Sequence, residues 1–242
     1  MRYKCTVAYD GSAYHGFQIQ ENNLSTIQAQ IERVLKIITK EDTRIYPAGR
    51  TDTGVHAYGQ VFHFDTVIDM KEWNMKNAIN SRLPRDIAIQ KVEKVADSFH
   101  SRYDAKSKIY HYLIDLGPYD PLKQQYRYYY NHHLDIMLMR EAASYLIGEH
   151  DFKSFTKNHQ ITNTVRNLFQ LDILKEQNLI TFRFHGDGFL HNMVRIIVGM
   201  LIEVGRKKIK PEEMEHILSA LNRTKAPKIA PPNGLYLSEI RY

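Results

Sequence analysis

The sequence predicts an α+β protein of two similar lobes with mainly antiparallel sheets. Three observations lead there. Alternating strand-like runs are followed by amphipathic helices in the same rhythm in both halves, each helix carries a start or stop residue, and no flexible linker separates the halves. With 242 residues, 43% hydrophobic and 25% charged, the chain is long enough for one large core or two modest ones.

In the first half, MRYKCTVAYDG runs straight into a strand. Ser25 and Gln28 have capping-box spacing, and Ile27, Ile31, Leu35 and Ile38 then share one helical face. Thr43 to Ala48 reads as a short strand. Tyr58 to Phe64 reads as another, with Tyr58, Phe62 and Phe64 on one face and Val61 and His63 on the other. Asp69 with Glu72 repeats the helix-start spacing, ahead of a helix that ends near Leu83 and Pro84, and Ile87 to Val95 returns as a strand. The second half gives a strand over 106–115, a helix from Asp135 to about Ile147 stopped by Gly148, strands near 164–175 and 178–185, and a helix over 189–204 stopped by Gly205. Pro211 opens a further helix through Leu221, and Leu235 to Tyr242 alternates as a closing strand. The boundary falls near Tyr103, giving an N-terminal lobe over 1–103 and a C-terminal lobe over 104–242.

Lys and Arg number 33 against 27 Asp and Glu, a net charge of +6 and a pI near 9.2, which suits a polyanionic partner without specifying one. Basic residues alternate with aromatics in KSKIYHY (Lys106 to Tyr112) and QQYRYYYNHH (Gln124 to His133), a mixture that offers phosphate contacts beside stacking platforms. Most of the 16 tyrosines also suit ordinary strand positions. The single cysteine, Cys5, allows neither a disulfide framework nor a cysteine zinc site. His132 and His133 are adjacent and His56 and His63 lie seven apart, but no acids or cysteines accompany them, and neither a P-loop nor a dinucleotide fingerprint is present. No metal and no cofactor are expected. The N-terminus lacks the apolar core of a signal peptide and no apolar run reaches the ~18 residues of a membrane span, so a cytoplasmic protein without a membrane partner is expected.

The string GRTDTGVHAYGQVFHF, Gly49 to Phe64, sets one carboxylate, Asp52, in a turn between Gly49 and Gly54 that opens into a strand, with Arg50 two positions away. An Asp beside Thr and Gly also serves as a plain turn cap. What distinguishes this one is the length of its setting, which resembles the TruA-type tRNA pseudouridine synthases. VAYDGSAYHGFQIQ (Val7 to Gln20), IAIQKVEKVADSFHSRYDAKSKIYHYLI (Ile87 to Ile114), HDFKSF (His150 to Phe155), GFLHNMVRIIVG (Gly188 to Gly199) and APPNGLYL (Ala230 to Leu237) follow in that family's order and cover essentially the whole chain. Two departures stand out. Phe17 occupies the place of a usual Trp, and the Lys225 to Ile229 segment has Pro227 and Ile229 where Gly and Thr are more usual. They bear on RNA selection more than on chemistry.

The resemblance implies two ferredoxin-like (RRM-like) lobes whose sheets join across a central basic cleft, and a homodimer that binds tRNA. It implies isomerisation of uridine to pseudouridine in the anticodon stem-loop, at tRNA positions 38 to 40. Asp52 would be the catalytic carboxylate and Arg195 its buried counter-ion. Arg195 interrupts the apolar run FLHNMVRIIVGMLIEV, in which Phe189, Met193, Ile197, Met200, Leu201 and Val204 mark a core-facing helix, and falls with His191, Asn192 and Gly199 on the less apolar side. A guanidinium holds a carboxylate bidentately and stays charged when buried. Tyr110, in the pattern Lys108-x-Tyr110-x-Tyr112, would contact the uracil, and Arg50 would act as the base is extruded. Whether the carboxylate attacks the base, attacks C1′ or removes a sugar proton is left open by the motifs. The competing readings are a non-catalytic RNA-binding or chaperone protein on the same scaffold and a pseudouridine synthase acting on another RNA.

Overall fold

The computed structural model describes residues 1–20, 25–158 and 160–242, and it divides into two compact units, 1–106 with 236–242 and 107–235. This differs from a boundary at Tyr103 chiefly at the C-terminus. The closing strand, β10 (Leu235–Arg241), returns to the first unit from Tyr236 onward, because Tyr236 and Leu237 pair in parallel with His56 and Ala57 of β3 (His56–Asp65).

In the first unit β1 (Arg2–Tyr9) lies between β3 and β4 (Ile87–Val95), antiparallel to both, with Cys5 opposite Phe62 on one side and Val92 on the other. Alternate side chains of β1 (Tyr3, Cys5, Val7 and Tyr9) are buried, which is the period-2 pattern of a sheet with one covered face. β3 is buried on both faces over Val61 to Phe64. The expected strand over 43–48 shrinks to β2 (Tyr46–Pro47), paired to β3 at His63 and Phe62. Proline contributes no ladder donor, which limits that strand.

Helix α1 (Ile27–Thr39) buries Ile27, Ile31, Val34 and Leu35. Its cap is Thr26 rather than Ser25: the Thr26 hydroxyl accepts from the Ala29 N–H, a bond typically worth about 1 kcal/mol. Helix α2 (Glu72–Asn80) packs on β4 and buries Met75 and Ile79. Asp69 does not start it; its carboxylate pairs with Lys94.

The second unit likewise mixes strands and helices, but three strands rather than two separate its first helix from its second. β5 (Ser107–Asp115), α3 (Ile136–Ser144), β7 (Gly148–Asp151), β8 (Val165–Glu176), β9 (Leu179–Gly186), α4 (Met193–Gly205) and α5 (Glu213–Ser219) give an antiparallel sheet in the order β5-β9-β8-β7. A two-residue strand, β6 (Tyr128–Tyr129), runs parallel to the end of β5. Asp135 caps α3 by accepting from the Leu138 N–H. Tyr112 and Phe182 face each other across β5 and β9 and are fully buried. Both units are α+β with mainly antiparallel sheets, as expected. No helix among the described residues is long and apolar enough to cross a membrane.

His63 is buried in the first unit, stacked against Tyr46 at 5.1 Å, and burial first, then the positive charges of Arg2 and His100, push its pKa down to about 4. The unfolded chain takes up a proton near pH 6.5 that the folded chain refuses until about pH 4. His63 therefore contributes stability that is full above pH 6.5 and is lost as pH falls through that window. His63→Phe should flatten the stability profile between these pH values relative to wild type, whatever its effect on absolute stability. Urea titrations across the window measure it, and parallel profiles would remove His63 as the source.

Candidate active site

The Asp52 segment lies between β2 and β3 and is held by a second loop, residues 10–17, that leaves the end of β1. The Phe17 N–H donates to the Thr51 carbonyl at 3.2 Å and the Gly54 N–H to the Tyr14 carbonyl at 3.4 Å. The loops meet so closely that a Cβ on Gly16 would lie 2.7 Å from the Thr51 carbonyl oxygen, and Gly16 has φ +86°, a conformation open to glycine and strained for other residues. Inside this clasp the Tyr9 hydroxyl and Thr51 Oγ1 lie 2.7 Å apart in the core. Burial pushes the Tyr9 phenol well up, so it stays protonated. Gln60 donates to the Gly49 carbonyl at 2.9 Å, and the Val55 N–H closes the turn on the Asp52 carbonyl at 3.1 Å. Asp52 is half-buried and Arg50 exposed.

His56, four residues on, is buried. Its Nδ1 is 3.2 Å from both the Gly11 nitrogen and Asp10 Oδ1, accepting from the first when neutral and donating to the second when protonated. Its ring stacks on Tyr236 at 4.8 Å, and Tyr236 stacks on Tyr58, which is 60% exposed, at 5.0 Å. Tyr58 is thus the outer member of a three-ring pile, an arrangement suited to a base face. Its exposure near the start of a strand whose other residues are covered as far as Phe64 could not be read from alternation.

The second unit carries Arg195 and Tyr110. Arg195 lies on α4, half-buried, and both its ends grip one segment: Nε donates to the Ala230 carbonyl and the Ala230 N–H donates to the Arg195 carbonyl, each at 2.9 Å. That side of α4 looked less apolar because a backbone covers it. A Cβ on Gly199, one turn on, would come within 3.0 Å of Lys228 and Ile229. The same strap is fixed from β5, where the Tyr112 hydroxyl donates to the Pro231 carbonyl at 2.8 Å. Tyr110 is only 8% exposed, its ring edge-to-face with Phe189 at 5.0 Å. It therefore lies closer to a core position than an open stacking platform would. No cluster of metal ligands exists among the described residues.

The profile of a family described as tRNA pseudouridine synthase matches residues 6–104 and 142–242. The chain belongs to that family. Its class of reaction is accordingly an isomerisation. It is 45% identical over 244 aligned residues to tRNA pseudouridine synthase A 1 of Bacillus cereus (strain ATCC 14579), covering 100% of this chain and 98% of that protein. Identity is 44% to tRNA pseudouridine synthase A of Brevibacillus brevis and 42% to that of Anoxybacillus flavithermus, with 100% of this chain covered in each case and 99% and 98% of theirs. Among solved structures, a Cbf5-Nop10-Gar1 complex aligns with 83% of this chain and 45% of its own at 13% identity and a TM-score of 0.35, too distant a likeness to support the fold.

The clasp makes Gly16 a sensitive position in this synthase. Gly16→Ala should cost more than about 1 kcal/mol in stability, and should lower pseudouridine formation further than the unfolded fraction accounts for, because the Thr51 carbonyl must retreat. Urea denaturation with an activity assay well below the transition tests this. Wild-type values in both would show that the loops do not depend on the contact.

Proposed function

We propose that this chain converts uridine to pseudouridine in the anticodon stem-loop of tRNA, at positions 38 to 40, with Asp52 as the catalytic carboxylate. The observation that carries the reading is the setting of Asp52: a half-buried acid in a short turn, with its backbone clasped by the 10–17 loop on one side and tied to Gln60 on the other. Full-length identity to proteins named tRNA pseudouridine synthase A supports tRNA as the substrate class. The reaction breaks C1′–N1, turns the uracil and joins C1′ to C5. The C5 proton leaves and N1 is reprotonated, so atoms balance without a redox partner. A carboxylate beside the nucleoside serves each of the three routes open to it: attack on the base, attack on C1′, or removal of a sugar proton. A rigid backbone keeps that oxygen at a fixed position while the base turns.

Arg195 is the proposed cation of the reaction, already oriented by the Ala230 carbonyl. Arg50, exposed beside the acid, is proposed to hold a phosphate or fill the space of the extruded base, which offsets an unstacking cost of a few kcal/mol. Tyr110 is proposed to contact the uracil. Because Phe189 backs its ring, that contact uses the small exposed part of the Tyr110 side chain.

Asp52→Asn keeps the size and removes the anion. Turnover should fall to background while tRNA affinity stays within a few fold, read by a pseudouridine assay alongside filter binding. Turnover above a tenth of wild type would remove Asp52 from the chemistry. Tyr110 separates stacking from hydroxyl chemistry. If the ring alone matters, Tyr110→Phe stays active and Tyr110→Leu does not, since a stacked ring is worth roughly 1–3 kcal/mol. If the hydroxyl moves the C5 proton, Tyr110→Phe still forms an adduct with 5-fluorouridine RNA yet stalls on uridine RNA. Single-turnover assays on both RNAs decide between these, and full activity of Tyr110→Leu would place Tyr110 outside the site.

A further inference from the structure

The second unit contains a cavity of about 460 Å³ in which two short 3-10 turns meet, Lys153–Phe155 and Arg223–Lys225. Its volume lies in the range of small-molecule sites. The turns are locked together: the Asn222 N–H donates to Ser154 Oγ at 2.8 Å, and Asn222 Oδ1 accepts from both the N–H and the hydroxyl of Thr224, at 3.0 and 2.9 Å. A third wall, at Thr156 and Asn158, is tied down where the Thr156 hydroxyl donates to the His191 carbonyl at 3.2 Å. The walls are therefore fixed by protein contacts.

The charge inside is one-sided. Arg223 and Lys153 line the cavity, none of the described lining residues is acidic, and neither cation forms an ion pair with a described residue. Arg223 is half-buried and makes a single hydrogen bond, from Nη1 to the Ala226 carbonyl, while its Nε is buried without a partner among the described residues. Burial alone pushes this guanidinium down from its ordinary value, with no acid acting in the opposite direction. A partly desolvated cation without a counter-ion is unfavourable by itself and is matched by an anion with several acceptor oxygens. The rest of the lining is uncharged, polar at Thr156, Asn158, Asn222 and Thr224 and apolar at Ile161, Leu221 and Pro227, a mixture that suits the sugar and carbon face of a nucleoside better than a hydrated free ion.

We propose that this cavity holds a nucleotide of the RNA substrate other than the reacting uridine, with its phosphate on Arg223 and Lys153 and its sugar face against Leu221 and Pro227. The inference rests on the tRNA reading above and adds a further point of RNA contact, within the 107–235 unit, to which HDFKSF contributes Lys153 and the Lys225 to Ile229 segment contributes Pro227. Neither had a role in the chemistry.

Filter binding of tRNA across a salt series, with pseudouridine formation measured separately, tests it. Arg223→Gln and Lys153→Gln should each raise the Kd for tRNA by roughly five- to tenfold at physiological salt and lower the slope of log Kd against log salt by about one, whereas Lys175→Gln, an exposed charge on β8, should change neither. Lys153 is exposed, so its variant decides the matter if Arg223→Gln lowers the melting temperature. Unchanged affinity and slope in Lys153→Gln, with wild type binding tRNA, overturns the proposal. So does a wild-type chain that fails to bind tRNA. Inorganic phosphate that stabilises wild type but not Arg223→Gln, without any change in tRNA affinity, would make this a free-anion site and equally overturn the RNA assignment. Absence of pseudouridine from a wild-type chain that still binds tRNA counts against the activity alone, because the salt-slope comparison does not use turnover.

Discussion

The backbone contact between Gly16 and Thr51 is the constraint on which the presentation of Asp52 depends. A loop that presents a half-buried acid is stable only if its own polar backbone is satisfied, since buried amide groups left unpaired cost about 1–3 kcal/mol each. Here the Thr51 carbonyl receives the Phe17 N–H, the Tyr14 carbonyl receives the Gly54 N–H, and the Gly49 carbonyl receives Gln60. Each partner comes from β1's exit loop or from β3, so the position of Asp52 is tied to the sheet itself. The positive φ of Gly16 is what lets the exit loop come close enough.

The second unit solves a related problem by different means. Its strap over 226–235 has little regular structure, and side-chain anchors hold it, among them Arg195 on Ala230, Tyr112 on Pro231, and Asn233 on the Gln124 and Arg127 carbonyls. Because Arg195 spends Nε on this strap, its guanidinium plane is already oriented. Replacing it by Lys keeps the charge but loses the geometry, since a single ammonium cannot reproduce a planar group fixed at one edge. The Tyr112 hydroxyl is likewise committed, and burial holds it protonated, so of the two tyrosines in the Lys108-x-Tyr110-x-Tyr112 pattern Tyr112 is the one that builds the unit.

Much of the fold was legible because the signals are local. Ile87 to Val95 alternates and becomes β4 with those bounds, Asp135 caps the helix it precedes, and Gly205 ends α4. Failures came where two local solutions compete or where the partner is distant in sequence. Ser25 and Thr26 both offer a hydroxyl at the start of α1, and only packing decides that Thr26 takes the cap. Asp69 has the right spacing to start α2, yet a lysine across the fold claims it. Nothing in Leu235 to Tyr242 says that its partner is β3, more than 170 residues away, since a parallel pairing of two residues leaves no pattern. Of the residues proposed to act, Asp52, Arg50, Tyr110 and Arg195 were legible as residue types in matched strings, whereas the burial of Tyr110 and the cover over Arg195 follow from Phe189 and the strap, which alternation and helical periodicity do not encode.

The departures from the family pattern acquire separate meanings once their places are known. Phe17 is fully buried against Tyr9 at 5.9 Å, and its N–H is one of the bonds of the clasp, so a smaller ring there adjusts the packing beneath Asp52 without meeting RNA. Ile229 lends its backbone to the close approach at Gly199, where the side chain matters less than the path of the chain. Pro227 differs from both. It is exposed, it lines the cavity that holds Arg223, and its ring is apolar and its nitrogen carries no hydrogen to donate. Of the three positions it is the one that would touch the nucleotide proposed for that cavity, while Phe17 and Ile229 sit where they support the two loops.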